Sequence, residues 1–160
     1  MPMPEPADVP IFVLCGGQGS RLGEVAAQRP KPMLDIGEKP MLLHIMGWYG
    51  RFGFRRFVLC VGHRGEVIAE YFANYAALNG DFTVDLADRR TVYHDQDRLP
   101  PWRVTVAFTG TAAMTGARIA RAAARHLGEA EHLGVTYGDG LTDADLGAEL
   151  RFHLAHDRLG

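Results

Sequence analysis

A chain of 160 residues has the length of one ordinary domain. With 47% hydrophobic and 22% charged residues it has the balance of a packed globular protein, which excludes fibrous, coiled-coil and disordered classes. Seventeen Lys and Arg against nineteen Asp and Glu leave a net charge of −2, so no global positive field draws in nucleic acid or an anionic membrane, and any phosphate binding must be local.

The opening Met1-Pro2-Met3-Pro4-Glu5-Pro6 has no basic region followed by an apolar one, and no apolar stretch reaches the ~18 residues of a membrane span. Residues 1–9 read as an extended, disordered lead-in, with one domain from residue 10 to 160. Short β-rich runs then alternate with longer helical ones, the signature of an α/β fold. The strands are expected at Ile11–Cys15, Phe57–Val61, Phe82–Leu86, Thr91–His94, Val104–Thr109 and Leu133–Tyr137. Several are apolar throughout, as central parallel strands are. Helices are expected at Pro40–Phe52, Glu66–Leu78, Thr115–Leu127 and Asp143–His156. The last of these starts on Thr142 and Asp145, which resemble a capping box. Segment 79–102 breaks the rhythm and reads as an excursion beside the main sheet. Cys15 and Cys60 each end an apolar run, so they read as buried, reduced thiols and the expected location is the cytoplasm. The last helix runs to the chain end where another strand is expected, which gives the domain an unfinished look.

Gly16-Gly17-Gln18-Gly19-Ser20-Arg21-Leu22 follows the first strand directly. Its glycines let backbone N–H groups approach a phosphate closely. Two common glycine motifs fail: the dinucleotide pattern needs Gly or Ala where Leu22 stands, and the Walker pattern needs a Gly-Lys-Ser/Thr ending. What remains is a cation in the loop, Arg21, and a second, Lys31, in Arg29-Pro30-Lys31-Pro32-Met33. Two cations with backbone donors suit a triphosphate that must release pyrophosphate. The plainer alternative is a glycine turn with Arg21 and Lys31 as solvated charges.

The glycine loop, together with Pro30-Lys31-Pro32-Met33-Leu34-Asp35-Ile36-Gly37-Glu38-Lys39-Pro40-Met41, resembles the signature of the sugar-1-phosphate nucleotidyltransferases. Further runs resemble the glucose-1-phosphate cytidylyltransferase branch of that family. They are Gly62-His63-Arg64-Gly65, Pro101-Trp102-Arg103-Val104, Met114-Thr115-Gly116-Ala117-Arg118 and Thr136-Tyr137-Gly138-Asp139-Gly140. The resemblance implies a doubly wound, mostly parallel, Rossmann-like sheet with helices on both faces. It implies transfer of CMP from CTP to a sugar 1-phosphate, glucose 1-phosphate above all, with Mg2+ as cofactor. On the matching positions it gives Arg21 and Lys31 catalytic roles at the triphosphate. It assigns nucleotide contacts to Gly16, Gly17, Gly19, Ser20, Arg21, Thr109, Gly110, Thr115, Gly116 and Arg118, and the metal to Asp139. Read without the family, Asp139 is an Asp-Gly turn and Arg118 a solvated helix charge. Ala117 departs from the family's usual second glycine and bears on base choice. His153 and His156, one helical turn apart, read as solvent-facing, the other five histidines have no ligand spacing, and Trp48 and Trp102 read as packing anchors.

The family is longer than this chain, and its later part carries a second metal ligand and the groups that grip the sugar. A non-nucleotide structural or interaction domain would require the whole run of matching motifs to be coincidence, which leaves two readings. One is an enzyme acting as a homo-oligomer or with a partner that supplies the missing half-site, using CTP, UTP or dTTP. The other is a truncated, non-catalytic nucleotide-binding remnant.

Overall fold

The computed structural model describes residues 4–17, 29–156 and 158. Its centre is a four-stranded parallel sheet of β1 (Ile11–Cys15), β4 (Arg56–Val61), β7 (Arg103–Phe108) and β8 (Gly134–Tyr137), in the spatial order β7-β4-β1-β8. Between β1 and β4 lie the two-residue strands β2 (Asp35–Ile36) and β3 (Lys39–Pro40), paired around Gly37 at φ +66°. β5 (Phe82–Asp85) and β6 (Arg90–Tyr93) form a separate antiparallel hairpin, exposed along its whole length, where the sequence has its excursion. The Asp85 carboxylate accepts from the N–H groups of Ala87 and Asp88, which turns the chain into the loop of that hairpin.

Alternation along the central strands sorts the core onto two faces. Ile11, Val13, Cys15, Phe57, Leu59 and Val61 pack with α1 (Met41–Arg51), α2 (Gly65–Ala73) and α5 (Leu146–Ala155). Phe12, Leu14, Val58, Cys60 and Ala107 pack beneath α4 (Thr115–His126). The doubly wound architecture is therefore present, with α1, α2 and α5 covering one face and α4 the other.

Four local details differ from the sequence expectation. The helix expected over 66–78 is two helices, α2 and α3 (Tyr75–Asn79), because Asn74 ends the first by donating its side-chain amide to the Glu70 carbonyl. The final helix starts at Leu146, since the Asp145 carboxylate caps the Ala148 N–H, while the Thr142 hydroxyl accepts from Ala144 N–H outside the helix. A turn rather than extended chain directly precedes residue 10: Asp8 N–H bonds to the Glu5 carbonyl, and Val9 is buried. His153 is half-buried, with its Nε2 3.1 Å from His132 Nδ1.

Trp48 and Trp102 are anchors as expected. Trp48 donates its Nε1 hydrogen to the Ala144 carbonyl, and Trp102 packs edge-on against Phe57. Among the described residues no helix is long and apolar enough to cross a membrane.

Both thiols are free and buried. Burial pushes the Cys60 thiol up to about 11 despite the nearby Arg118 cation, and it pushes Cys15 up as well, reinforced by Cys60 and Asp139. A thiol whose pKa is raised by folding holds its proton longer in the native state than in the unfolded one. This contribution is complete below the ordinary thiol value of 9.0 and is lost as pH climbs towards about 11. Neither thiol of the native chain should therefore react with iodoacetamide at pH 8, and both should react in urea. Rapid native labelling would contradict the burial.

Candidate active site

The order β7-β4-β1-β8 places the third, second, first and fourth core strands side by side, so the chain reverses its direction of winding between β1 and β8. In open parallel sheets the crevice at the carboxyl ends of the two strands flanking this reversal is where ligands sit. Gly16 and Gly17 leave β1 there, and Gly138 and Asp139 leave β8.

The backbone draws the end of β8 tightly against β1. Gly138 N–H bonds to the Leu14 carbonyl at 3.0 Å. A side chain at 138 would lie 2.9 Å from both Cys15 Sγ and Pro32 Cγ, so only glycine fits. Pro32 belongs to a 3-10 turn over Lys31–Met33, where Met33 N–H and Leu34 N–H bond back to Pro30 and Lys31 carbonyls. Burying Pro32 and Met33 fixes that turn beside β8 and directs the side chain of Lys31 outward. Lys31 Nζ consequently meets Asp139 Oδ2 at 2.8 Å, 108 residues away along the chain. The side chains remain 39% and 37% exposed, so the pair is open to a ligand from solvent.

A second set of residues floors the neighbouring part of the crevice. Arg118, at the start of α4, is only 6% exposed. Its Nη1 donates to the Val61 carbonyl, the Thr109 hydroxyl and the Gly110 carbonyl, and its Nη2 to the Gly16 and Thr111 carbonyls, at 2.7–3.4 Å. The Thr109 hydroxyl in turn donates to the Val61 carbonyl at 2.8 Å. One guanidinium thus ties together the ends of β1, β4 and β7. A Cβ at Gly16 would lie 2.3 Å from Arg118 Cζ, and one at Gly62 would lie 2.4 Å from its Nη1, so both glycines make room for the cation. Gly110 follows at φ +98°. No ion pair among the described residues involves Arg118. Four carbonyl dipoles and the Thr109 hydroxyl meet its charge.

The geometry sorts the residues singled out in the sequence. Lys31 and Asp139 come together, as do Gly16, Thr109, Gly110 and Arg118. Arg118 is a buried staple rather than a solvated charge. Gly17, Thr115, Gly116 and Ala117 are exposed around the crevice, and a Cβ at Gly17 or Gly116 would meet nothing within 4 Å. Among the described residues no side chain caps the amino end of α4, an end whose first N–H groups suit an anion. Gly19, Ser20 and Arg21 lie outside the described residues. Three contributors carry no role in the sequence reading: Gly62, Gly138 and Pro32. The first two share a signal, a glycine directly after an apolar strand run. Pro32 has none, because its role depends on what it touches.

Comparison with known proteins adds to this geometry. The MobA-like NTP transferase domain matches residues 11–158, nearly the whole chain. The chain belongs to that family. The transferase domain is 44% identical over 146 residues to the glucose-1-phosphate cytidylyltransferase of Salmonella typhimurium, covering 91% of this chain and 56% of the relative. It is 38% identical over 142 residues to a probable glucose-1-phosphate cytidylyltransferase of Bacillus subtilis, covering 89% and 52%. The chain thus spans about half the length of the relatives it matches. Two solved structures share the fold. HddC from Yersinia pseudotuberculosis, complexed with GMP-PN, superposes with a TM-score of 0.62 at 23% identity, over 93% of this chain and 55% of its own. A UDP-glucose pyrophosphorylase complexed with UDP-glucose gives 0.61 at 17% identity, over 91% and 53%.

Proposed function

We propose that this transferase domain is the nucleotide-binding part of a sugar-1-phosphate nucleotidyltransferase that moves CMP from CTP to a sugar 1-phosphate, glucose 1-phosphate in the first instance. The observation that carries the reading is the exposed Lys31–Asp139 pair at the strand reversal, 2.8 Å apart beside the glycine turn that ends β1. The choice of cytosine and of glucose rests on the 44% identical relative of that name.

In the reaction a phosphate oxygen of the sugar 1-phosphate attacks the α-phosphorus of CTP. The bond from that phosphorus to the bridging oxygen breaks, and pyrophosphate leaves with the electron pair. Two anions must meet, so the protein's task is to position them and offset their charge. Lys31 is suited to this. Its ammonium now rests on Asp139, and a triphosphate offers it a stronger anionic partner. The exposed amino end of α4 and the backbone at Gly17 supply N–H donors.

Among the described residues no three His, Cys, Asp or Glu side chains gather as a metal cage. A single accessible carboxylate at a strand end still fits Mg2+, which keeps few protein ligands and takes phosphate oxygens and water for the rest. Asp139 is the residue that would hold it, and the ion supplies charge neutralisation across the reacting phosphates. Lys31, which pairs with Asp139 in this structure, would face the phosphates if Asp139 held the ion.

The test is pyrophosphate release and CTP binding by the purified chain with Mg2+ and glucose 1-phosphate, with CTP, UTP, dTTP and GTP supplied in turn. Release and tightest binding with CTP are expected. Preference for another triphosphate overturns the base assignment, binding without release restricts the chain to a nucleotide-binding module, and failure to bind any of the four overturns the reading.

A further inference from the structure

The end of the sheet opposite the candidate active site holds a cavity of about 350 Å3 between α4 and the first residues of β4 and β7. Its lining includes Arg56, Arg103, Arg125 and His126, with Thr105 and Gly128, and no carboxylate among the described residues. Arg56 donates to the Asp8 carbonyl at 2.8 Å and to the Leu127 carbonyl at 3.3 Å, the latter quieting the negative end of α4. Arg125 donates through Nε to Arg121 and through Nη2 to Phe108 carbonyls. Two guanidiniums are thus held by neutral carbonyls. The Arg103 side chain makes no hydrogen bond or ion pair among the described residues, and no ion pair found there involves Arg56 or Arg125. The Arg125 guanidinium points away towards the Phe108 end of β7, whereas Arg56 and Arg103 hold paired positions on β4 and β7 and bring two like charges to one concavity, which repel each other until an anion joins them.

We propose that this cavity is a second anion site, for a small ligand carrying one or two phosphoryl groups. Guanidinium forks match the oxygens of a phosphate. The volume exceeds what a lone halide needs, and the net charge of −2 disfavours a long polyanion spreading beyond the cavity. Thr109 follows Arg103 by six residues along β7, so the Arg103 end of the cavity lies about 20 Å from the active-site crevice. The site therefore stands independently of the nucleotide assignment.

Calorimetric titration of the whole chain with inorganic phosphate, pyrophosphate and ribose 5-phosphate, at constant ionic strength, tests it. The variants are Arg103→Ala, Thr105→Val and Lys31→Ala. The expected result is saturable binding that Lys31→Ala retains and Arg103→Ala weakens about tenfold or more. Because the Arg103 side chain is exposed and unpaired, its loss should leave the melting temperature unchanged. If that variant nevertheless unfolds, a weakening by Thr105→Val with Lys31→Ala unaffected supports the site equally well. Preference for the inorganic ions points to free phosphate or pyrophosphate, and preference for ribose 5-phosphate to a phosphate ester. Equal binding by wild type and Arg103→Ala, no saturation with any of the three, or loss of all binding in Lys31→Ala overturns the proposal.

Discussion

Arg118→Ala is expected to lower the melting temperature by roughly 10 °C, from a loss of about 3–5 kcal/mol. The substitution removes the donor for four carbonyls and one hydroxyl that are gathered at the ends of three strands. Buried acceptors stripped of a charged donor keep their desolvation cost and lose their partner. Gly16 and Gly62, which leave space for the guanidinium, would then border a void. Arg118→Lys should recover only part of the loss, because one ammonium cannot span five acceptors on two sides. The measurement is thermal unfolding of the three proteins by circular dichroism. A shift under about 2 °C for the alanine variant would mean that the staple contributes little.

Asp139→Asn should behave in the opposite way, with stability nearly unchanged and chemistry lost. The Lys31–Asp139 pair is more than a third exposed on both sides, so as an ion pair it contributes little, about 0–1 kcal/mol. Asparagine keeps the shape while removing the charge a hard cation needs. Turnover should fall at least about a hundredfold. The affinity for CTP should also lose its dependence on Mg2+, which can be followed by titrating CTP with and without the ion even where turnover is slow. An unaltered Mg2+ dependence would remove Asp139 from the metal role and leave it as a turn residue that pairs with Lys31.

Much of the fold was legible because its signals are local. Val, Ile and Phe clusters of four to six residues identify β1, β4 and β7, and apolar spacing identifies α1 and α4 almost to their ends. Element ends were less legible where a side chain competes for backbone hydrogen bonds. Asn74 splits one helix into two, and Asp145 rather than Thr142 starts the last one. Both outcomes turn on which of several nearby polar side chains captures a particular N–H or carbonyl, and residue type alone does not decide between them.

At the candidate site, local sequence supplied the residue types: a glycine turn after β1, a lysine between prolines, and an aspartate between glycines after β8. The tertiary structure decided their partners. Lys31 and Asp139 meet across 108 residues only because Gly138 lets β8 close against Cys15 and Pro32. Arg118 has the spacing of a helix-surface residue, yet it turns inward because two glycines just past the ends of β1 and β4 leave room and five acceptors from three strand ends converge on it. Local pattern carries propensity and periodicity, whereas burial and pairing depend on atoms brought together from distant parts of the chain. That is why the site's ingredients could be read from the sequence and its geometry could not.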